Sequence, residues 1–300
     1  MLAGQLVAPV VRLAGQWRQL QLAWVGVLRL GDVLDARDEA MEDRSSVLVL
    51  PPVRGHIAFR DVSFAYHPDD PPVLSQIDLE IAPGEIVGIV GRSGCGKSTL
   101  VRLLLRLHDP QRGEILVDGH ALRDVTLVSL RLQVGIVTQD TSLLSGTVYD
   151  NIAAGRDVSE HDVVRAAEVA GADAFVRRLP YGYNTRVGER GLPLSGGQRQ
   201  RLVLARALVG DPRILIFDEA TAALDPLSEQ EIHEALQRVV RGRTTLIVSH
   251  RIKTLEHVDP IVVLDRGRIV EEGTPAALLA QGGAYHRLAT AAPGWAEDGA

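Results

Sequence analysis

IVGIVGRSGCGKST, residues 86–99, is the stretch that decides the fold of this 300-residue chain. Its first five residues form a continuous apolar run, which is typical of a strand buried on both faces of a mainly parallel sheet. Residues 91–99 then fit the pattern G-x-x-x-x-G-K-[ST], and the run LVRLLLRL at 100–107 has helical composition. A strand, a glycine-rich loop and a helix in this order predict a phosphate-binding loop within an α/β fold.

The residue types of this loop suit phosphate chemistry. Glycines let the backbone turn tightly and direct N–H groups inward, and the start of the following helix adds a positive dipole end. Lys97 is expected to reach the β- and γ-phosphates, and the Ser98 hydroxyl is expected to bind Mg²⁺. The alternative is a glycine-rich turn with a solvated lysine. It is disfavoured because the chain contains only two lysines, Lys97 and Lys253.

The stretch ILIFDEA, residues 214–220, places two carboxylates at the end of another apolar run. Ligands gather at the carboxyl ends of the strands in sheets of this kind. Asp218 is therefore predicted to hold Mg²⁺ through water, and Glu219 is predicted to polarise the attacking water as general base. Without the phosphate loop, the same pattern would indicate only the polar end of a strand.

Strands and helices alternate through most of the chain. Ser159 and Asp162 form a capping box that predicts the start of one helix, Pro226 predicts the start of another, and residues 1 to about 40 predict a long helix. The predicted strands are the apolar, β-rich runs at 57–66, 86–90, 134–137, 214–217, 245–248 and 261–264.

The stretch LSGGQ completes the set of motifs, and the helical run RQRLVLARAL follows it. Its serine and glycines could form a second anion cradle at the start of that helix. The phosphate loop, LSGGQ and ILIFDE follow one another in the order found in the nucleotide-binding domain of ABC transporters, and the chain resembles that domain. That resemblance implies an α/β fold with a P-loop NTPase (RecA-like) core, an antiparallel β subdomain and an α-helical signature subdomain. The motif consists of Leu194, Ser195, Gly196, Gly197 and Gln198.

The resemblance implies that the chain binds ATP with Mg²⁺ and hydrolyses it. Tyr66, at the end of the first strand, resembles the aromatic residue that stacks on adenine. The implied catalytic residues are Lys97, Gln139, Glu219 and His250, and the implied metal ligands are Ser98, Gln139 and Asp218. The implied phosphate-binding residues are Gly91, Arg92, Ser93, Gly94, Cys95, Gly96, Lys97, Ser98 and Thr99.

Three residues receive roles from the resemblance alone. Gln139 resembles the glutamine that contacts Mg²⁺ and senses the membrane domain, and His250 resembles the switch histidine that contacts the γ-phosphate. Asp225 resembles the D-loop aspartate, although Ala222 stands where serine is more usual. The resemblance also implies a homodimer in which ATP is sandwiched between the phosphate loop of one copy and LSGGQ of the other, with Asp225 acting in trans.

Three stretches narrow the resemblance to exporters. TRVGERG at 185–191 resembles the X-loop, while SGTVYDNI and RLGDVLD resemble exporters that move polypeptides, of the haemolysin or bacteriocin secretion kind. Export of lipids or small hydrophobic compounds is an alternative. A soluble ATPase acting on DNA or the ribosome would carry a long coiled-coil insert or two cassettes. It is disfavoured because only 98 positions separate Lys97 from Ser195 and one set of motifs is present.

The domain organisation expected from these motifs has four parts. Residues 1–35 resemble the cytosolic end of a last membrane helix, with a soluble amphipathic helix as the alternative. Residues 36–55 are expected to be a linker, 56–290 the nucleotide-binding domain and 291–300 a flexible tail. The partner implied is an ABC membrane domain that the sequence largely lacks. The expected location is the cytoplasmic face of the inner or plasma membrane.

The charge and the cysteine content restrict the kind of partner and the cellular compartment that the sequence suits. The formal net charge of -6 gives no broad basic surface, so a nucleic-acid partner is not expected. The single cysteine, Cys95, cannot form a disulfide within the chain and indicates a reducing compartment. Because Cys95 lies at a helix start, its thiol is predicted to have a lowered pKa, and a maleimide is predicted to inactivate the protein.

Overall fold

The computed structural model describes residues 2–34, 48–138, 140–188, 191–219, 238–249, 255 and 258–290. The chain divides into two units, Met1–Ser45 and Ser46–Ala300. Most of the expected linker and the expected tail at 291–300 lie outside the described residues.

The first unit contains the helix α1, Leu2–Leu34, which confirms the long helix predicted at the start of the chain. Between residues 15 and 31 its large apolar side chains are exposed, including Trp17 and Trp24. Within the described part of the chain, no helix combines the length and the apolar character that crossing a membrane requires.

The second unit is organised around a six-stranded sheet with the order β12-β11-β3-β10-β9-β6. Its strands pair in parallel, except that the edge strand β12 is antiparallel to β11. Five apolar runs predicted from the sequence form these parallel strands, which confirms the α/β interpretation. The strands are β3 (Ile86–Val90), β6 (Val134–Val137), β9 (Ile214–Asp218), β10 (Thr244–Val248), β11 (Ile261–Asp265) and β12 (Arg268–Gly273).

The register of the sheet sets where functional side chains meet. Val248 at the end of β10 pairs with Asp218 on one side and with Ile89 on the other. The ends of β3, β9 and β10 therefore lie side by side at one edge. The phosphate loop, which follows β3, and the carboxylates of Asp218 and Glu219 at the end of β9 are brought to the same place.

A four-stranded antiparallel sheet with the order β2-β1-β4-β5 confirms the antiparallel subdomain. Register shifts interrupt the β1–β2 pairing between Phe59 and Val62 and again before Phe64. A separate two-stranded sheet joins β7 to β8. The strands are β1 (Ile57–Phe64), β2 (Leu74–Ile81), β4 (Arg112–Val117), β5 (His120–Ala121), β7 (Gly146–Thr147) and β8 (Arg186–Val187).

Helices complete the second unit. The predicted capping box is present: Ser159 Oγ accepts a hydrogen bond from the Asp162 amide at 3.2 Å. One apolar cluster unites α4, α5, α6 and α7 as the expected helical subdomain. The described helices are α2 (Lys97–Leu104), α3 (Leu127–Gln133), α4 (Val148–Ala153), α5 (Glu160–Val169), α6 (Asp173–Val176), α7 (Gly196–Leu208), α8 (Pro275–Gln281) and α9 (Ala284–Thr290).

The end of the expected linker packs into the second unit. Leu50 and Val53 are buried in the same apolar cluster as β1 and β2, and Leu48 pairs with Val125 through an isolated bridge. Proline and charge in the sequence indicated a loop here. The burial of these two apolar side chains attaches the segment from residue 48 onward to the core.

Candidate active site

The phosphate loop is shaped by two close approaches that only glycine permits. A Cβ at Gly91 would collide with the Leu264 carbonyl oxygen. At Gly96, where φ is 109°, a Cβ would lie 2.6 Å from Leu74 Cδ2 and 3.1 Å from the Val73 carbonyl oxygen. The loop is therefore pressed against β11 and against the residues that lead into β2. At Gly94 the space is open, with no atom within 4 Å of a built Cβ.

Lys97 is held inside this loop although it is the first residue of α2. Its side chain is only 6% exposed, and Nζ donates hydrogen bonds to the carbonyl oxygens of Gly91 at 2.8 Å and Arg92 at 3.0 Å. Among the described residues, no side chain caps the N-terminus of α2, so the N–H groups of its first turn are available to an anion. A buried ammonium and free amides together form a site for a polyanion.

Asp218 lies at the end of β9, close to the Ser98 hydroxyl. Burial raises the pKa of Asp218, the hydrogen bond from Ser98 lowers it, the neighbouring Glu219 carboxylate raises it, and Lys97 lowers it. Its Oδ1 is buried and has no hydrogen-bond partner among the described residues. A divalent cation would satisfy this oxygen, since Mg²⁺ is commonly bound through one or two carboxylates together with substrate phosphates. The donor set of Ser98 and Asp218 therefore fits Mg²⁺.

Glu219 occupies a backbone conformation that few residues other than glycine adopt, with φ at 53°. Its amide donates a hydrogen bond to the Val248 carbonyl oxygen at 2.9 Å, which fastens this turn to the end of β10. Strained conformations of this kind persist where the surrounding structure imposes them, and they concentrate at functional sites. The general base predicted from the sequence therefore stands on a backbone fixed from two strands.

Tyr66 adjoins the same loop. Its hydroxyl lies 3.0 Å from Thr99 Oγ1 and accepts a hydrogen bond from Arg102 Nη1 at 2.8 Å. Its ring meets the rings of Phe64 and His108 edge-on, with centroids 5.0 and 5.4 Å away. The side chain remains 39% exposed, which leaves ring surface free for a planar ligand. No sequence pattern pointed to Arg102, because a lone arginine on a helix is ordinarily a solvated residue.

The LSGGQ stretch begins α7 as a capped helix. Ser195 is the N-cap: its Oγ accepts from the Gln198 amide at 3.3 Å, and its own amide donates to Gln198 Oε1 at 3.0 Å. Leu194 is buried, whereas Ser195 and Gly196 are exposed. Among the described residues, the hydrogen bonds of Ser195 stay within this first turn of α7. The helix start is therefore presented to solvent as a preformed surface.

Three predicted site residues lie outside the described residues: Gln139, Asp225 and His250. Their roles remain predictions from the resemblance. The structure does bring together Lys97, Ser98, Asp218, Glu219, Tyr66 and Thr99 around one edge of the sheet.

The prediction of a lowered pKa for Cys95 is wrong. The thiol is only 6% exposed, and burial raises its pKa by more than Lys97, whose Nζ lies 3.9 Å from Sγ, lowers it. The sequence argument considered the helix start alone. In the fold, removal of the thiolate from water outweighs the nearby positive charge.

We accordingly expect N-ethylmaleimide to label native Cys95 slowly near neutral pH, because the reactive thiolate is scarce and shielded. The labelling rate should rise by at least about tenfold in urea, where the thiol becomes exposed with its ordinary pKa. Mass spectrometry of timed aliquots measures both rates, and Cys95→Ser serves as the unreactive control. Equal rates in the native and unfolded protein would contradict the burial argument.

Comparisons with known proteins agree on one family. A family model described as ABC transporter matches residues 74–222. The chain is 48% identical over 290 residues to the Toxin RTX-I translocation ATP-binding protein of Actinobacillus pleuropneumoniae, covering 96% of this chain and 41% of that protein. It is 49% identical over 282 residues to the Alpha-hemolysin translocation ATP-binding protein HlyB of Escherichia coli O6:H1, covering 94% and 40%.

A solved structure extends the similarity to three dimensions. The structure of a bacterial Atm1-family ABC exporter with ATP bound matches with a TM-score of 0.76 and 40% sequence identity, covering 95% of this chain. The chain spans half of that exporter chain and about two fifths of the two toxin-translocation proteins.

Proposed function

This chain belongs to the ABC transporter family of ATP-binding domains, and we propose on that basis that it binds and hydrolyses MgATP as the motor of an exporter. The observation that carries the proposal is the cluster of Lys97, Ser98 and Asp218. It combines a buried ammonium, a hydroxyl and a buried carboxylate oxygen that has no partner among the described residues. Such a combination suits a phosphate chain that carries a divalent cation.

The residues of the site divide the work of hydrolysis among them. The amides of the loop and the Lys97 ammonium hold the phosphates and offset their charge. Ser98 and Asp218 would hold Mg²⁺, which supplies charge neutralisation at the phosphate oxygens when bound. Glu219 accepts a proton from the attacking water. Tyr66 stacks on the base, an interaction that any purine satisfies.

The chain works as one half of a dimer in this proposal. The exposed start of α7, with Ser195 and Gly196, would meet the γ-phosphate bound to a second copy and complete that copy's site. Because the γ-phosphate bridges the two copies, hydrolysis removes the bridge and lets them separate. Gln139, Asp225 and His250 are proposed to complete this switch, as the resemblance implies.

We further propose that the motor drives export of a polypeptide, together with an ABC membrane domain at the cytoplasmic face of the membrane. The support is the identity of 48–49% with proteins named for translocation of RTX-I toxin and of alpha-hemolysin. SGTVYDNI, which resembles exporters that move polypeptides, and TRVGERG, which resembles the X-loop of exporters, lie within the matched part of the chain.

The experiment that tests the proposal is phosphate release by the purified chain with MgATP across a wide dilution series. We expect slow hydrolysis whose rate rises more steeply than linearly with protein concentration, because each site borrows α7 from a second copy. Lys97→Ala is the inactive control. A turnover per molecule that stays constant on dilution would exclude the shared site, and a wild-type rate equal to that of Lys97→Ala would exclude the activity.

A further inference from the structure

A buried amide on α4 holds the segment between residues 142 and 147. Asn151 has no exposed surface, and its side chain makes three hydrogen bonds to that segment. Oδ1 accepts from the Leu144 amide at 2.8 Å, while Nδ2 donates to the carbonyl oxygens of Leu144 at 2.8 Å and Thr147 at 3.0 Å. Asn151 therefore binds the segment at Leu144 and Thr147, in addition to the pairing of Gly146 and Thr147 with β8.

Arg206 on α7 also binds Asn151 and the segment 142–147. Its Nε donates to the Asn151 carbonyl oxygen at 2.7 Å, Nη2 donates to Asn151 Oδ1 at 2.8 Å, and Nη1 reaches the Ser142 carbonyl oxygen at 3.4 Å. Burial lowers the pKa of this guanidinium. All of these acceptors are uncharged oxygens, so the cation is held without a carboxylate among the described residues. Burying a charge in this way is costly, so an apolar side chain would be the more stable choice for cohesion alone.

Asn151 and Arg206 connect the segment 142–147 with α7, which is distant from it in sequence. The clamped segment begins three residues after Gln139, and Arg206 lies eight residues beyond Gln198 on α7. Eight residues of α-helix span about 12 Å. A displacement of the segment after Gln139 would therefore act on α7, whose N-terminal end is the LSGGQ surface.

We infer that Asn151 and Arg206 are positioning residues that couple the segment after Gln139 to the LSGGQ helix. The inference rests on the proposed ATPase function and goes beyond it, since neither residue belongs to a motif of the site. The pair sets the orientation in which α7 is offered to the second copy. Neither residue touches the phosphates.

Arg156, three residues beyond the end of α4, offers a control. Its guanidinium is also buried with a lowered pKa, and Nη1 donates to the Val209 carbonyl oxygen at 2.6 Å, just beyond the end of α7. Among the described residues it makes no hydrogen bond to the segment 142–147. Removing this side chain should disturb the C-terminal end of α7 without affecting the hydrogen bonds of Asn151 and Arg206.

The test compares Arg206→Gln with Arg156→Gln in steady-state MgATP hydrolysis, with the Tm of each variant measured in parallel. We expect Arg206→Gln to lower kcat by about tenfold or more, as the loss of hydrogen bonds from a buried charged group implies. Binding of the fluorescent probe TNP-ATP should change by less than about twofold, because the loop and Tyr66 are untouched. Arg156→Gln should keep its kcat despite a fall in Tm.

Equal losses of kcat in the two variants, or a normal kcat in Arg206→Gln, would overturn the inference. If Arg206→Gln does not fold, Arg206→Lys, which keeps the charge but not the forked geometry, is measured with the same expectations. Wild-type protein that hydrolyses no ATP would instead overturn the proposed function, so the two failures are distinguishable.

Hydrogen exchange gives a second readout at the hydrogen bonds of Asn151 themselves. The Leu144 amide should exchange slowly in wild type and faster in Arg206→Gln, because its acceptor on Asn151 loses support. With Mg·AMP-PNP, exchange should change together in residues 142–147 and 196–205 of wild type, but only in 196–205 of Arg206→Gln. Joint changes that persist in the variant would contradict coupling through this pair.

Discussion

Glu219→Gln is expected to bind MgATP with little change in affinity and to hydrolyse it at least about 100-fold more slowly, the usual contribution of a general base. The substitution keeps the size of the side chain but removes the group that accepts the proton of water. The backbone bond from Glu219 to the Val248 carbonyl oxygen is unaffected, so the turn should keep its conformation. Phosphate release and TNP-ATP titration measure the two quantities.

Asp265→Asn is the matched control for this experiment. Asp265 also ends a strand of the same sheet, β11, but it is not among the residues assigned to hydrolysis. Asp265 is half-buried, and its amide variant should turn over within about twofold of wild type because no step of hydrolysis is assigned to it. Glu219→Gln should in addition accumulate as an ATP-bound dimer on size-exclusion chromatography, because the closed state no longer ends in hydrolysis. Near-wild-type turnover in Glu219→Gln would remove Glu219 from the role of base.

Ser195→Arg is expected to abolish most hydrolysis while leaving TNP-ATP binding intact. The arginine would replace the hydroxyl at the exposed start of α7 and obstruct its approach to a second copy. The loss should be on the order of 100-fold, comparable with removal of one preorganised donor from a site of developing charge. Ser159→Arg is the control, because Ser159 caps α5 with the same capping box but has no predicted contact with ATP.

A mixing experiment sharpens this prediction. Ser195→Arg and Lys97→Ala should each be inactive alone, yet their mixture should recover part of the activity. A mixed dimer contains one site built from the intact phosphate loop of the first variant and the intact LSGGQ of the second. No recovery on mixing, with both variants folded and dimeric, would argue that a single copy carries the whole site.

The sequence predicted the part of the fold that continuous apolar runs encode. The parallel strands β3, β6, β9, β10 and β11 appear where such runs stand. Strands β2 and β4 were missed, because one face of β2 is polar and β4 begins with the exposed residues Arg112 and Gly113. Half-polar strands give a weak signal when read singly, since their identity depends on the partner across the sheet.

In the site, too, the sequence predicted the short local motifs but not the contacts between residues far apart in the chain. The phosphate loop and the carboxylates after β9 could be predicted because each motif is short. The hydrogen bond between Tyr66 and Thr99 joins residues 33 positions apart, and the one from Arg206 to Asn151 joins residues 55 positions apart. Contacts of this kind leave no trace in spacing. The prediction for the pKa of Cys95 was wrong for the same reason, because the strands that bury this thiol are remote from it in sequence.

The two hydrogen bonds that hold Lys97 to its own loop have a consequence for the speed of nucleotide entry. A lysine side chain loses up to about 2 kcal/mol of conformational entropy when it is fixed in one rotamer. In this chain that loss is incurred during folding, so it is not repeated each time a nucleotide arrives. ATP should therefore associate in one fast step without a preceding rearrangement of the loop. In the proposed mechanism, the slow step of the cycle should then be the encounter of two copies of the chain.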